Sequence, residues 1–345
     1  MRRPQSGVLT QISRVESALQ CYHTGKAVVK KMTQLFRLTA AGRAWYTGRM
    51  KKKNLIFLHL SVFLFGSAGL FGKLIDLSPV VITQLRTLLS SVFLLCVLLV
   101  TKQSLKLERR RDFFSFLALG VLLAVHWWSF FYSIQLTSVA VALLTCSTFP
   151  VFITFIEPIV FREKLKGRDV LLALVTFLGI FIIVPPASAQ GDLLKGALMG
   201  ILAGFSYAVL TVCNRGLIRR YSAVKVSFYE QAVVAVVLLP FLLSGLGQIN
   251  MQKLALAVVM GVVFTALSHT LFINSLHSVR AQTASIIACF EPVYGILLAW
   301  LILSEMPTLR QVIGGVVILG GVACATVIAQ KGKGGKGKVE GGGRM

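Results

Sequence analysis

The chain has 345 residues, 56% of them apolar and 14% charged, with 36 Lys+Arg against 12 Asp+Glu. That balance excludes an ordinary soluble globular domain, and the pI near 10.3 raises nucleic-acid binding as the rival reading. The placement of charge excludes the rival. Basic residues fill a leading segment, a short tail and the gaps between long apolar runs, where they sit beside anionic lipid.

Residues 1–53 carry twelve Lys/Arg against a single acid, Glu16, and contain no apolar stretch of the length that a bilayer or a secretory signal needs. They read as a basic, disordered N-terminal extension. Met50, followed by Lys51-Lys52-Lys53 and the first apolar run, has the form of an inner-membrane protein start, so residues 1–49 are expected to be an extension or an upstream-start artefact.

From Asn54 onward ten apolar runs follow one another: 54–73, 79–101, 112–135, 138–161, 168–184, 193–214, 222–244, 252–276, 279–303 and 308–330. Each is long enough, at about 1.5 Å per residue, to cross roughly 30 Å of hydrocarbon. The expected fold is therefore an all-α integral membrane protein of ten transmembrane helices. The Gly/Lys-rich tail, residues 331–345, should be flexible.

Lys and Arg concentrate in the second, fourth, sixth and eighth gaps, from Lys102 and Arg109-Arg110-Arg111 through Arg162, Lys164, Arg215, Arg219 and Arg220 to Arg280. Those gaps are expected to be cytoplasmic, which puts both termini in the cytoplasm of a multi-pass cell (inner) membrane protein. Five of the six cysteines (Cys96, Cys146, Cys213, Cys289 and Cys324) lie inside apolar runs without CxxC or Cys/His spacing. They read as free thiols, and no metal or cofactor is expected.

Sliding the chain on itself by 142 residues lays Pro150 on Pro292, Glu163 on Glu305, Arg168 on Arg310, Gly179 on Gly321 and Lys73 on Arg215. Two halves, 54–184 and 190–330, joined near Pro185-Pro186-Ala187, account for this register. Five spans per half is odd, so the halves are expected to enter the membrane from opposite sides as inverted repeats, an arrangement that suits alternating access.

The segment Phe290-Glu291-Pro292-Val293-Tyr294, continuing to Leu303-Ser304-Glu305 and Gly314-Gly315, strongly resembles the EamA family of the drug/metabolite transporter superfamily. A weaker copy runs from Phe149-Pro150 to Arg162-Glu163-Lys164-Leu165, with Phe149 where the second half has Glu291. The resemblance covers about residues 54–330. It implies a ten-helix transporter of metabolites, amino acids or drugs, often an exporter, with a central cavity between the halves.

Polar residues inside spans are costly in lipid and so mark a pathway. On the third span His126, Ser129, Ser133 and Thr137 form one stripe flanked by Trp127, Trp128 and Tyr132; its alternative is plain packing, with His126 bonded to a backbone carbonyl. His269 lies one position from the repeat-mate of His126. Arg86 shares a stripe with Thr83, Thr87 and Ser90, and Glu230 with Ser227 and Gln231. Arg86 is placed roughly 10 Å from the outer surface and Glu230 about 12 Å from the inner one, so a bond between them needs a long reach. Arg86 is a candidate for a substrate carboxylate, or else it snorkels or is neutralised by a partner.

Thr148, Tyr207, Asn214 and Asn274 complete the pathway candidates. Glu291 is the candidate for proton coupling, against a purely structural role beside Pro292; Pro150 and Pro292 are expected to kink their helices. Glu163 and Glu305, beside helix ends, are better explained by capping or packing.

The leading expectation is a secondary transporter of a small organic solute, a metabolite or amino-acid exporter, in contact with the bilayer and with protons as a candidate coupling ion. Multidrug efflux and nutrient uptake are alternatives. An intramembrane lipid-modifying enzyme is the alternative of another class; the sequence offers it no HExxH, GxSxG or metal spacing, and no GxxxxGK[ST] loop for ATP.

Overall fold

The computed structural model describes residues 48–161, 167–184, 191–277, 279, 284 and 287–334. The basic segment before residue 48, Glu163 with its neighbours, Pro185-Pro186-Ala187, Arg280 and the end of the tail lie outside the described residues. Every regular element among those described is helical.

The helices, in chain order, are α1 (Gly48–Ile75), α2 (Pro79–Val100), α3 (Arg110–Leu136), α4 (Val139–Cys146), α5 (Phe149–Phe161), α6 (Gly167–Ile183), α7 (Asp192–Leu217), α8 (Ala223–Val237), α9 (Leu239–Gly245), α10 (Met251–Gly261), α11 (Ser268–Ser275), α12 (Glu291–Leu303) and α13 (Leu309–Gly334). A π-helical turn, Val262–Leu267, joins α10 to α11. Short polar caps start several of them. Ser138 accepts from the Val141 N–H, Ser222 from Lys225 and Asn250 from Lys253, each satisfying a donor that the first turn leaves free.

By length and composition six helical stretches can cross a membrane: Asn54–Ile75, Pro79–Val100, Arg110–Leu136, Val139–Ile156, Asp192–Leu217 and Met251–Ser275. Leu174–Ile183, Glu291–Leu303 and Leu309–Gly321 are shorter apolar helices. Large apolar side chains such as Ile56, Val92, Phe114, Leu174, Val236 and Leu301 point outward, as a surface facing hydrocarbon requires.

The packing is doubled. Under the 142-residue offset α1 corresponds to α7, α2 to α8, α3 to α10–α11, α4–α5 to α12, and α6 to α13. Helix α7 packs on α3 and on α4–α5, and its counterpart α1 packs on α11 and on α12. Each of the pairs α2·α8, α4·α12 and α6·α13 joins an element to its own counterpart. A duplicated repeat produces this pattern because each half offers the same faces to the other.

Pro150 and Pro292 each stand second in a new helix, α5 and α12, rather than inside one bent helix. Ser147 and Thr148 separate α4 from α5. A proline in a first turn loses nothing by lacking an N–H, whereas mid-helix it would orphan a carbonyl. Neighbouring helices come close at both places. A Cβ on Gly204 of α7 would lie 2.6 Å from the Cys146 carbonyl oxygen, and one on Gly66 of α1 would lie 2.6 Å from that of Glu291. Glycine is required at both crossings.

Candidate functional site

The buried face of α2 carries Thr83, Arg86, Thr87 and Ser90, all with no exposed surface. The threonines spend their hydroxyls on their own helix, Thr83 on the Pro79 carbonyl at 2.7 Å and Thr87 on that of Thr83 at 2.8 Å. Arg86 finds its partners on the π-turn instead. Its Nε donates to Thr265 Oγ1 at 2.8 Å and its Nη2 to the Phe264 carbonyl at 3.4 Å. Thr265 donates its own proton to the Met260 carbonyl, five residues back, which leaves its oxygen free to accept. The guanidinium carbon lies 3.5 Å from the ring centroid of Trp127, a close cation–π contact. Among the described residues Nη1 has no hydrogen-bond partner.

Glu230 on α8 and His269 on α11 meet at 2.7 Å, Oε2 to Nε2, with at most 1% of either side chain exposed. Glu230 Oε1 and His269 Nδ1 are left without hydrogen bonds. Arg86 and Glu230 do not bond each other. Each is anchored to the same transmembrane stretch, at Thr265 and at His269, about one helical turn apart.

Beside this cluster is a void of about 10 Å³, room for a single water. Its lining includes Phe65, His126, Trp127, Phe130, Tyr207 and Glu291. His126 Nδ1 lies 2.9 Å from the Ala203 carbonyl, which fixes the ring, and the ring stacks on Tyr207 at 4.8 Å between centroids. The Tyr207 hydroxyl makes no hydrogen bond. Arg86 thus covers one side of Trp127, whose ring also walls the void. The arrangement offers a buried cation, two acids and aromatic faces within one dry region, the components that hold a zwitterionic or carboxylate-bearing solute.

The other expected residues lie outside the lining of the void. Thr148 donates to the Thr145 carbonyl at the α4–α5 break. Tyr132 stacks on Trp128, 5.7 Å away and nearly parallel. Asn214 and Asn274 are buried on α7 and α11. Sequence reasoning missed Thr265 and the Phe264 carbonyl, because a π-turn has no compositional signature, and it missed Phe65 and Phe130, which read as ordinary apolar residues.

Both ends of the bundle are tied. At one end Asp112, 3% exposed, accepts from Arg220 Nη1 at 2.9 and 3.0 Å and from the Tyr221 hydroxyl at 2.6 Å. That hydroxyl in turn accepts from the Glu108 N–H, and Lys225 Nζ reaches the Lys106 carbonyl. At the other end Glu305 bridges Lys73 at 3.0 Å and the Val139 N–H at 3.1 Å, while Lys253 Nζ meets the Asp76 carbonyl at 2.8 Å.

Long apolar helices, a doubled packing plan and a buried charged cluster between tied ends are the marks of a multi-pass helical membrane transporter. The chain belongs to the EamA-like transporter family, which it matches twice, over residues 52–184 and 194–327. It is similar to the uncharacterized transporter YxxF of Bacillus subtilis (strain 168), 27% identical over 83% of this chain and 93% of the relative. It is also similar to the S-adenosylmethionine uptake transporter of Rickettsia prowazekii (strain Madrid E), 26% identical over 68% of this chain and 78% of that one. A crystal structure with 16% sequence identity shares the fold at a TM-score of 0.59, covering 81% of this chain and 98% of its own.

Proposed function

We propose that this protein is a secondary transporter of a small organic solute, a metabolite or amino-acid exporter of the cell (inner) membrane. Ten spans, grouped as two inverted five-helix repeats over 54–184 and 190–330 with both termini cytoplasmic, would rock against each other in alternating access. The observation that carries this reading is the buried cluster of Arg86, Trp127, Glu230, His269 and Glu291, drawn from both halves and set between tied ends. In this reading Arg86 Nη1 takes the solute's carboxylate, Trp127 and Tyr207 face its planar part, and Glu230 or Glu291 balances its positive charge. Protons are the coupling ion, and Glu291, in the wall of the void, is one acid able to bind them.

The Rickettsia relative favours a second reading, uptake. S-adenosylmethionine joins a carboxylate, positive charge and a planar base, which suits the same cluster. Purified protein in liposomes, loaded with unlabelled and challenged with labelled S-adenosylmethionine or amino acids, with and without a pH gradient, tests both. Counterflow of an amino acid supports the first reading and counterflow of S-adenosylmethionine alone the second; no counterflow of any zwitterion would sink the assignment of Arg86.

A further inference from the structure

Buried polar atoms without partners are rare in a well-packed interior, and each signals a ligand, a water or a proton that the group must meet. Here they gather along one seam. Helix α8 carries Ser227 Oγ, Glu230 Oε1 and both ends of the Gln231 amide; α2, packed against it, carries Gln84 Oε1, Arg86 Nη1 and Ser90 Oγ. All six residues have no exposed surface. Ser227, Glu230 and Gln231 repeat at helical spacing from the α8 N-terminus, so they form a polar line about 10 Å long from the Ser222–Lys225 end to the Glu230–His269 pair.

We propose that Glu230 and His269 form a proton-binding site distinct from Glu291, supplied with protons from the α8 N-terminal end along this seam. The proposal rests on the transporter reading above, and deepens it by naming where the coupling proton sits. With one proton held between Oε2 and Nε2, Oε1 and Nδ1 are the two atoms open to a second, and neither is committed to the fold. The groups that face the pair are few. Among the described residues His126 of α3 acts on His269, and Tyr207 and Cys213 of α7 act on Glu230; Arg86 of α2 and Glu291 of α12 act on each other, and Arg86 is anchored one turn from His269, while α1 presents Phe65 against Phe272 of α11. Arg86 is the one fixed cation among them. Adding a proton takes the pair from a net negative charge to neutral, so the field of Arg86 in this buried region is less opposed and draws in a solute carboxylate; removing the proton restores the competing negative charge. Proton and solute binding are thereby linked in one cluster.

Infrared difference spectroscopy on the full chain in lipid, between about pH 6 and pH 9, tests this without a solute, because exposed carboxylates stay ionised throughout that window. The result therefore stands whether or not the liposome assay finds a cargo. The expected result is a protonated-carboxyl band in the difference spectrum that disappears in Glu230→Gln, shifts in frequency in His269→Gln, where the hydrogen bond to the ring is lost, and persists in Glu291→Gln. Ser227→Ala, which removes the hydroxyl between the α8 N-terminal end and Glu230, should slow deuterium exchange of that carboxyl at least about tenfold by interrupting the seam. A wild-type protein without the band, or a band that survives Glu230→Gln, overturns the site; exchange unchanged in Ser227→Ala overturns the path.

Discussion

The Glu305 carboxylate, just beyond the end of α12, accepts from Lys73 Nζ at 3.0 Å with one oxygen and from the first N–H of α4, that of Val139, with the other. Three helices meet on one acid. Lys73 is 41% exposed, so Lys73→Ala should cost under about 1 kcal/mol, whereas Glu305→Ala also strands a helix N-terminal donor and should cost about 1–2 kcal/mol. Thermal unfolding of the two variants in the same lipid checks the ranking; equal losses would show that the capping bond contributes nothing.

Arg86 illustrates why a conserved charge is not a conserved interaction. Lysine in its place keeps the charge but loses the planar contact with Trp127 and the fork that spans Thr265 and Phe264. Arg86→Lys should weaken binding of a carboxylate solute by at least about tenfold, equivalent to about 1.4 kcal/mol. Direct binding of a labelled solute to the purified variant measures it, and affinity within twofold of the wild type would remove Arg86 from the site.

Gly66 lies where α1 crosses α12. A methyl group there would sit 2.6 Å from one backbone atom, the Glu291 carbonyl oxygen, and 3.0 Å from another, the Gly295 nitrogen. Neither can swing aside, so Gly66→Ala should destabilise by about 1–3 kcal/mol. Gly216→Ala, whose methyl meets nothing within 4 Å, should leave stability unchanged or raise it by up to about 1 kcal/mol. Their melting temperatures, measured side by side, separate a packing effect from one of glycine itself.

Tyr221 supplies a pH dependence. Burial, and then its hydrogen bond to Asp112, push its hydroxyl above the ordinary tyrosine range. A group with a raised folded pKa holds its proton more tightly in the folded state, so its stabilisation is complete below about pH 10 and is lost as pH rises through the folded value. Through Tyr221 the Asp112–Arg220–Tyr221 knot should therefore loosen at alkaline pH, and Tyr221→Phe should be less stable near neutrality yet show a smaller alkaline loss. Unfolding of both proteins at about pH 8 and pH 11 decides it.

The fold was legible in the chain to the extent that lipid imposes it. Hydrocarbon demands long apolar helices, so the runs 54–73, 79–101, 112–135, 193–214 and 252–276 announce themselves by composition alone, and helical stretches overlap each of them. The repeat was legible because Lys73 and Glu305 stand at fixed offsets from Arg215 and Glu163. What composition does not encode is which face meets which. Asp112 follows three arginines as the first residue of the third run, where nothing in the sequence marks its partner, yet it is buried and bonded to Arg220, 108 positions away. Glu230 and His269 were each visible as polar residues in apolar runs, but their contact depends on the crossing of α8 and α11. The partners of Arg86 depend on a change of helical pitch at Val262–Leu267, which side-chain periodicity does not reveal.

A void of about 10 Å³ admits one water and no metabolite, so the site proposed here would take a solute only after Phe65, Phe130 and Tyr207 have drawn apart. Part of every binding free energy measured on this protein is then spent on that parting, and the observed dissociation constant exceeds the intrinsic one by the inverse of the open population. On the proposed reading, chemical complementarity to Arg86 and Glu230 would set which solutes are accepted, and the packing of three aromatic rings how much of that affinity is ever seen. Trimming one ring, as in Phe130→Leu, becomes a way to tighten apparent binding without touching a polar group.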